Sequence, residues 1–135
     1  MPEASRILVL DDDAAHAEAA AESLERSGHT VRVATTGTEG LRLLEAEGFD
    51  LVLTDLVMRD VSGLDVVRRV KARTPETEII VMTGYPSYET ALEAMDEGAY
   101  DYLNKPIDLN ILRAKLKKAV EKQALVRSNT ELRRQ

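Results

Sequence analysis

Five short, apolar, β-favouring runs, each followed by a longer helix-favouring stretch, constrain the fold of this chain more than any other feature of it. The runs cover residues 6–10, 30–34, 50–54, 78–82 and 99–103. The first, Arg6-Ile7-Leu8-Val9-Leu10, is continuously apolar after its arginine, as expected of a strand covered on both faces. The stretches between carry helix signals. Residues 14–27 are rich in Ala and Glu, with Gly28 where a C-cap belongs. Thr36 is placed to cap a helix over 37–47, with Leu41 and Leu44 inward and Gly48 ending it. Residues 62–73 place Leu64, Val67 and Val70 inward, and Thr74-Pro75 breaks the pattern. Ser87 caps a helix that Gly98 stops, and a long helical pattern runs from Asp108 after Lys105-Pro106. Strict alternation of this kind predicts right-handed crossovers and an α/β architecture, a doubly wound five-stranded parallel sheet.

The length of 135 residues suits one domain with a short appendage. There is no Cys, which excludes disulfides and thiolate chemistry, and two His are too few for a histidine-rich zinc site. No apolar run approaches a membrane span, and the acidic Asp11-Asp12-Asp13 does not fit a signal peptide, so the expected location is cytoplasmic. Residues 1–110 carry 10 Lys and Arg against 22 Asp and Glu, whereas 111–135 carry 8 against 2. An acidic body argues against direct nucleic-acid binding, which needs a positive face. The basic tail reads as a solvated helix leading elsewhere.

In such a sheet, sites form beyond the carboxyl ends of the strands, near the reversal of strand order. Asp11, Asp12 and Asp13 follow the first strand, Asp55 the third, Thr83 the fourth, and Asn104-Lys105-Pro106 the fifth. In the strand order 2-1-3-4-5 the first and third strands are neighbours, so Asp11, Asp12 and Asp55 converge. Converging carboxylates repel and call for a cation. With oxygen ligands only, a hard divalent ion fits, Mg²⁺ best. Lys105 adds a second positive charge. One carboxylate then remains able to act as a nucleophile on phosphorus, with a Thr83 hydroxyl donating to a phosphoryl oxygen. Taken singly, each residue has an ordinary reading: an N-cap cluster, a turn aspartate, a strand threonine, a surface lysine. The joint placement at four strand ends is what points to chemistry.

The stretches Ile7-Leu-Val-Leu-Asp-Asp-Asp13, Asp50-Leu-Val-Leu-Thr-Asp-Leu-Val-Met58, Ile79-Ile-Val-Met-Thr-Gly-Tyr85 and Asp101-Tyr-Leu-Asn-Lys-Pro106 resemble the receiver domain of bacterial two-component response regulators, the CheY-like family. The resemblance covers about residues 5–122 and implies a flavodoxin-like fold with an extended C-terminal helix. It implies that Asp55 accepts a phosphoryl group from a sensor histidine kinase. It implies a Mg²⁺ site of Asp12, Asp11 (largely through water), Asp55 and the Val57 carbonyl. Thr83 and Lys105 would contact the phosphoryl group, and Tyr102 would turn inward when Thr83 moves. Lys105-Pro106 is expected to be cis. The chain would then catalyse only its own phosphorylation and dephosphorylation. Some positions depart from the family pattern. Arg59 stands where a proline is common and puts a cation near the acidic pocket, Ile107 follows Pro106 in place of a phenylalanine, and Tyr85 with Val57 flanks the route of water to the phosphoryl group. Two other classes compete: a haloacid-dehalogenase-like phosphohydrolase using Asp11-x-Asp13, and a flavin-binding domain, which the acidic first loop disfavours.

Residues 1–122 form the expected receiver, and 123–135 an expected linker helix. Leu125 and Leu132 are seven apart with Asn129 between, the arrangement of a short parallel coiled coil. The tail is similar to the linker that joins receivers to AAA+ ATPase domains in NtrC-like regulators of transcription. That likeness implies an output domain beyond residue 135, and a homodimer formed through helix 4, strand 5 and helix 5 or through the C-terminal helix. The plainer variant is a stand-alone receiver acting by protein–protein contact.

Overall fold

The computed structural model describes residues 4–84 and 88–134, the side chains of Tyr88 and of 127–134 excepted. The expectations placed on Tyr85, Ser87, and the side chains of Asn129 and Leu132 lie outside the described residues. The elements are β1 (Arg6–Leu10), α1 (Ala14–Arg26), β2 (Thr30–Ala34), α2 (Gly37–Ala46), β3 (Leu51–Asp55), α3 (Gly63–Arg73), β4 (Glu78–Thr83), α4 (Tyr88–Asp96), β5 (Asp101–Asn104) and α5 (Leu109–Arg134). The five strands are parallel in the order β2-β1-β3-β4-β5. No helix of the described residues is long and apolar enough to cross a membrane.

Successive strand residues feed opposite layers, the period-two rule of a pleated strand. Leu8, Leu10, Val52, Ile79 and Val81 pack with Leu43 of α2, Val66, Val67 and Val70 of α3, and Ala94 of α4. Ile7, Val9, Leu51, Leu53, Ile80 and Met82 pack with Ala17, Ala20 and Leu24 of α1 and Leu112, Leu116 and Ala119 of α5. Each central strand therefore needs apolar residues on both faces of its middle, and β3 and β4 are buried throughout, with polar residues only towards their ends.

The caps follow the sequence. Asp13 and Thr36 accept backbone N–H bonds from His16 and Glu39 at the starts of α1 and α2. Gly28 and Gly98 take positive φ values of 96° and 111° just beyond α1 and α4. The inner face of α2 differs from expectation. Leu43 is buried, whereas Leu41 and Leu44 only flank the core. A Cβ on Gly40 would lie 2.0 Å from Leu10 Cδ2, so the helix seats Gly40 directly on the sheet beside buried Leu43. Leu64 of α3 likewise flanks the core while Val66 joins Val67 and Val70 inside it. β5 starts at Asp101 rather than at residue 99, because the Ala99 N–H still closes the end of α4 on the Ala94 carbonyl.

The amino end of the sheet is tied by polar contacts. Glu78, buried at the start of β4, pairs with Lys71 of α3 at 3.2 Å and Lys122 of α5 at 3.0 Å. Gln123 of α5 is buried and donates to the carbonyls of Asp50 and Glu76.

Two consequences can be measured. A Cβ on Gly63 would lie 2.3 Å from the Asp55 carbonyl oxygen and 2.6 Å from Leu56 Cα, both backbone, whereas one on Gly48 would meet nothing within 4 Å. Gly63→Ala should cost about 1–3 kcal/mol or more in urea unfolding, and Gly48→Ala should stay within about 1 kcal/mol of wild type. Separately, the Ser5 N–H donates to His29 Nδ1 at 3.1 Å, and burial holds the His29 pKa below its ordinary value. The stability this contributes is complete above about pH 6.5 and is lost as pH falls below that towards the folded-state pKa. The urea midpoint should therefore drop between about pH 7 and about pH 5.5, and should drop less in His29→Gln.

Candidate functional site

Strand register decides where the polar strand ends meet. Leu10 pairs with Thr54 across β1 and β3, so the next residues, Asp11 and Asp55, emerge side by side. Thr83 pairs with Asn104 across β4 and β5, and the Lys105 N–H donates to the Thr83 carbonyl at 2.8 Å. The Lys105-Pro106 bond is cis. From that position the Lys105 ammonium donates to Asp11 Oδ2 and to Asp55 Oδ2, each at 2.8 Å.

Both acids are withdrawn from water, Asp11 to 1% exposure and Asp55 to 7%. Their second oxygens are held by backbone: the Asp13 N–H donates to Asp11 Oδ1 at 2.9 Å and the Val57 N–H to Asp55 Oδ1 at 3.3 Å. Burial alone would lower the Lys105 pKa. The hydrogen bonds and charges of Asp11 and Asp55 outweigh it, and the net direction is upward.

Asp12 completes the cluster. One carboxylate oxygen from each of Asp11, Asp12 and Asp55 lies within 4.8 Å of the others. Among the described residues one bridging ammonium stands against these three carboxylates, which leaves two negative charges that Lys105 does not match. An oxygen-only donor set with that deficit fits a hard divalent cation and not a soft metal. Arg59 Nε approaches Asp12 Oδ2 to 3.8 Å, but its side chain is 91% exposed.

Thr83 is buried at the end of β4. Val57 is 76% exposed in the loop after β3. Tyr102 stands on β5 with its ring half-buried against the α2–α3–α4 layer. The Lys115 ammonium lies 5.4 Å from the centre of that ring and donates to the Tyr102 carbonyl at 3.0 Å. Sequence reasoning missed Lys115, and it missed Asp60. The Asp60 carboxylate accepts from the Thr38 hydroxyl at 2.7 Å and from the backbone N–H groups of Thr38 and Gly37, both at 2.9 Å. These bonds, the hydroxyl's first, hold its pKa well below the usual carboxylate range. No local pattern announces such a contact, because its partners precede it by more than twenty residues and belong to another helix.

Residues 7–117 match the family model described as response regulator receiver domain. The chain belongs to this family. The transcriptional regulatory protein ZraR of Escherichia coli (strain K12) is 40% identical over 114 residues, covering 84% of this chain and 26% of ZraR. The DNA-binding transcriptional regulator NtrC of Rhizobium meliloti (strain 1021) is 41% identical over 106 residues, covering 78% of this chain and 22% of NtrC. The receiver chain thus spans about a quarter of the length of these relatives. Among solved structures, a CheY-like receiver domain protein from Methanospirillum hungatei JF-1 superposes with a TM-score of 0.86 at 33% identity, over 90% of this chain and 98% of that one. NtrX from Brucella abortus gives 0.90 at 29% identity, over 96% of this chain and 30% of that one. The match is to a signalling family and not to a catalytic enzyme family, and it favours the receiver over the phosphohydrolase and flavin-binding alternatives.

The charge deficit generates a test. Mg²⁺ at ten times its Kd should stabilise the folded receiver by about 1.4 kcal/mol in urea unfolding. Asp12→Asn should largely abolish that gain while leaving metal-free stability within about 1 kcal/mol of wild type.

Proposed function

We propose that this receiver takes a phosphoryl group onto Asp55 from the phosphohistidine of a sensor kinase, or from a small phosphodonor, in the cytoplasm. The observation that carries the reading is the pair of 2.8 Å bonds by which one ammonium, Lys105, holds Asp55 beside Asp11 at the edge of an under-neutralised carboxylate cluster. Asp11, Asp12, Asp55 and the Val57 carbonyl would hold Mg²⁺. When bound, the ion neutralises oxygens of the transferring phosphoryl group.

The chain's own residues do the rest. An Asp55 carboxylate oxygen forms the new bond to phosphorus as the donor's phosphorus–nitrogen bond breaks, and the imidazole leaves with the electron pair. Lys105, already charged and already at Asp55, pairs with a phosphoryl oxygen. The Thr83 hydroxyl donates to another. The new dianion favours the state in which Thr83 has moved and Tyr102 fills the space it leaves. The face made by α4, β5 and α5 carries the exposed apolar residues Leu92 and Ile111, which suits it to changing partner contacts. Residues 1–122 act as the receiver and 123–135 as the start of a linker helix. The relatives' names support a role in regulating transcription; an output domain of the AAA+ class beyond residue 135 and a homodimer belong to the same reading.

Intact mass after incubation with Mg²⁺ and acetyl phosphate tests this reading. Wild type should gain one phosphoryl group, and Asp55→Asn none. Lys105→Ala should slow uptake by at least about 10²-fold, the usual cost of losing a preorganised charge at a transferring group. Equal uptake by Asp55→Asn, with loss in Asp11→Asn instead, would move the nucleophile to Asp11 and sink the proposal.

A further inference from the structure

The loop between β3 and α3 is fixed at two levels, and Arg59 hangs between them. Its inner half is held by the core, since Leu56 and Met58 are buried and the Gly63 N–H donates to the Leu56 carbonyl at 2.9 Å. Its outer half is held by Asp60, which takes the first N–H groups of α2, those of Gly37 and Thr38, together with the Thr38 hydroxyl. These amides are unsatisfied donors at the positive end of a helix, where a carboxylate binds well. Thr36 leaves them to Asp60, because its own hydroxyl accepts from Glu39. The approach is close: a Cβ on Gly37 would lie 2.6 Å from Val61 Cβ and 3.1 Å from Asp60 Oδ1. The backbone of Arg59 is thus pinned on both sides, and its guanidinium reaches Asp12 Oδ2 at 3.8 Å.

We infer that Arg59 is a tethered counter-ion of Asp12, which a divalent cation must displace, so that this residue lowers the metal affinity of the site. The inference rests on the receiver reading above and concerns how tightly the site holds its ion. Asp12 is the carboxylate that Lys105 does not bridge. A cation parked on it compensates part of the charge deficit that favours Mg²⁺. The pair is exposed, so the effect is modest and sensitive to salt.

The experiment is calorimetric titration of the full chain with Mg²⁺ at low and high ionic strength. Arg59→Gln should bind Mg²⁺ about two- to fivefold more tightly than wild type at low salt, with the gain shrinking at high salt. Arg59→Lys, which keeps the charge, should stay near wild type. Arg69→Gln controls for net charge, since Arg69 pairs with Glu45 on the α2–α3 surface. The urea midpoint of Arg59→Gln without metal should match wild type, which separates a role on the ion from a role in the fold. If Arg59→Gln and Arg69→Gln bind alike, or Arg59→Gln binds more weakly, the inference is overturned while the receiver reading stands. If wild type binds no Mg²⁺, the proposed Mg²⁺-dependent phosphoacceptor function itself fails and the inference falls with it.

Discussion

The Lys105 ammonium between two buried carboxylates is the interaction on which this structure turns. Parallel register brings Asp11 and Asp55 together whether or not their charges favour it. Burying an ion costs several kcal/mol unless it is paired and hydrogen-bonded. Each acid has one oxygen on backbone N–H and the other on Lys105, so both oxygens of each are hydrogen-bonded although one ammonium serves two charges. The lysine reaches them from the far side of β4, its chain passing 3.8 Å from where a Gly84 Cβ would stand. A compact ammonium with rotatable donors serves two acids at once, which the planar fork of an arginine does less readily. Yet one ammonium for three carboxylates is an unfinished neutralisation. The site is stable enough to form and still short of positive charge.

β4 joins this edge of the sheet to the opposite one. Its last residue is Thr83, beside the cluster, and its first is Glu78, which receives Lys71 and Lys122. Every residue between them is buried. Close-packed interiors deform little, so the strand behaves as a stiff connector. Gln123, one residue beyond Lys122, donates its amide to the carbonyls of Asp50 and Glu76, in the loops that lead into β3 and β4. The direction in which α5 leaves the sheet is therefore set by the strand that carries Thr83. Past that anchor, Leu125 is 69% exposed and Val126 43%.

How much of this was legible in the sequence depended on how local the cause was. The strands were legible because burial on both faces leaves an unbroken apolar run, as in Ile79-Ile80-Val81-Met82. Asp11, Asp12, Asp55, Thr83 and Lys105 were legible as a set because each lies at or just beyond the carboxyl end of a strand and the strand order fixes which ends meet. The face of α2 was not, because the seat of Gly40 on Leu10 rotates the helix by an amount that only the packed pair determines. Asp60 was not legible either. Its partners come from the start of α2, brought near only when two crossovers pack on one side of the sheet.

Arg59 illustrates why departure from a family pattern is best weighed by what it touches. Its ion pair with Asp12 is long and almost fully solvated, and an exposed pair of this kind contributes at most about 1 kcal/mol to folding. Folding therefore places almost no constraint on the residue. Metal binding is different, because the carboxylate that Arg59 approaches belongs to the cluster with two unmet negative charges. A small interaction there is subtracted directly from the affinity for the incoming cation, with no large core energy to mask it. The position is thus one where substitution can retune the site while leaving the sheet, the lysine bridge and the packed layers as they are.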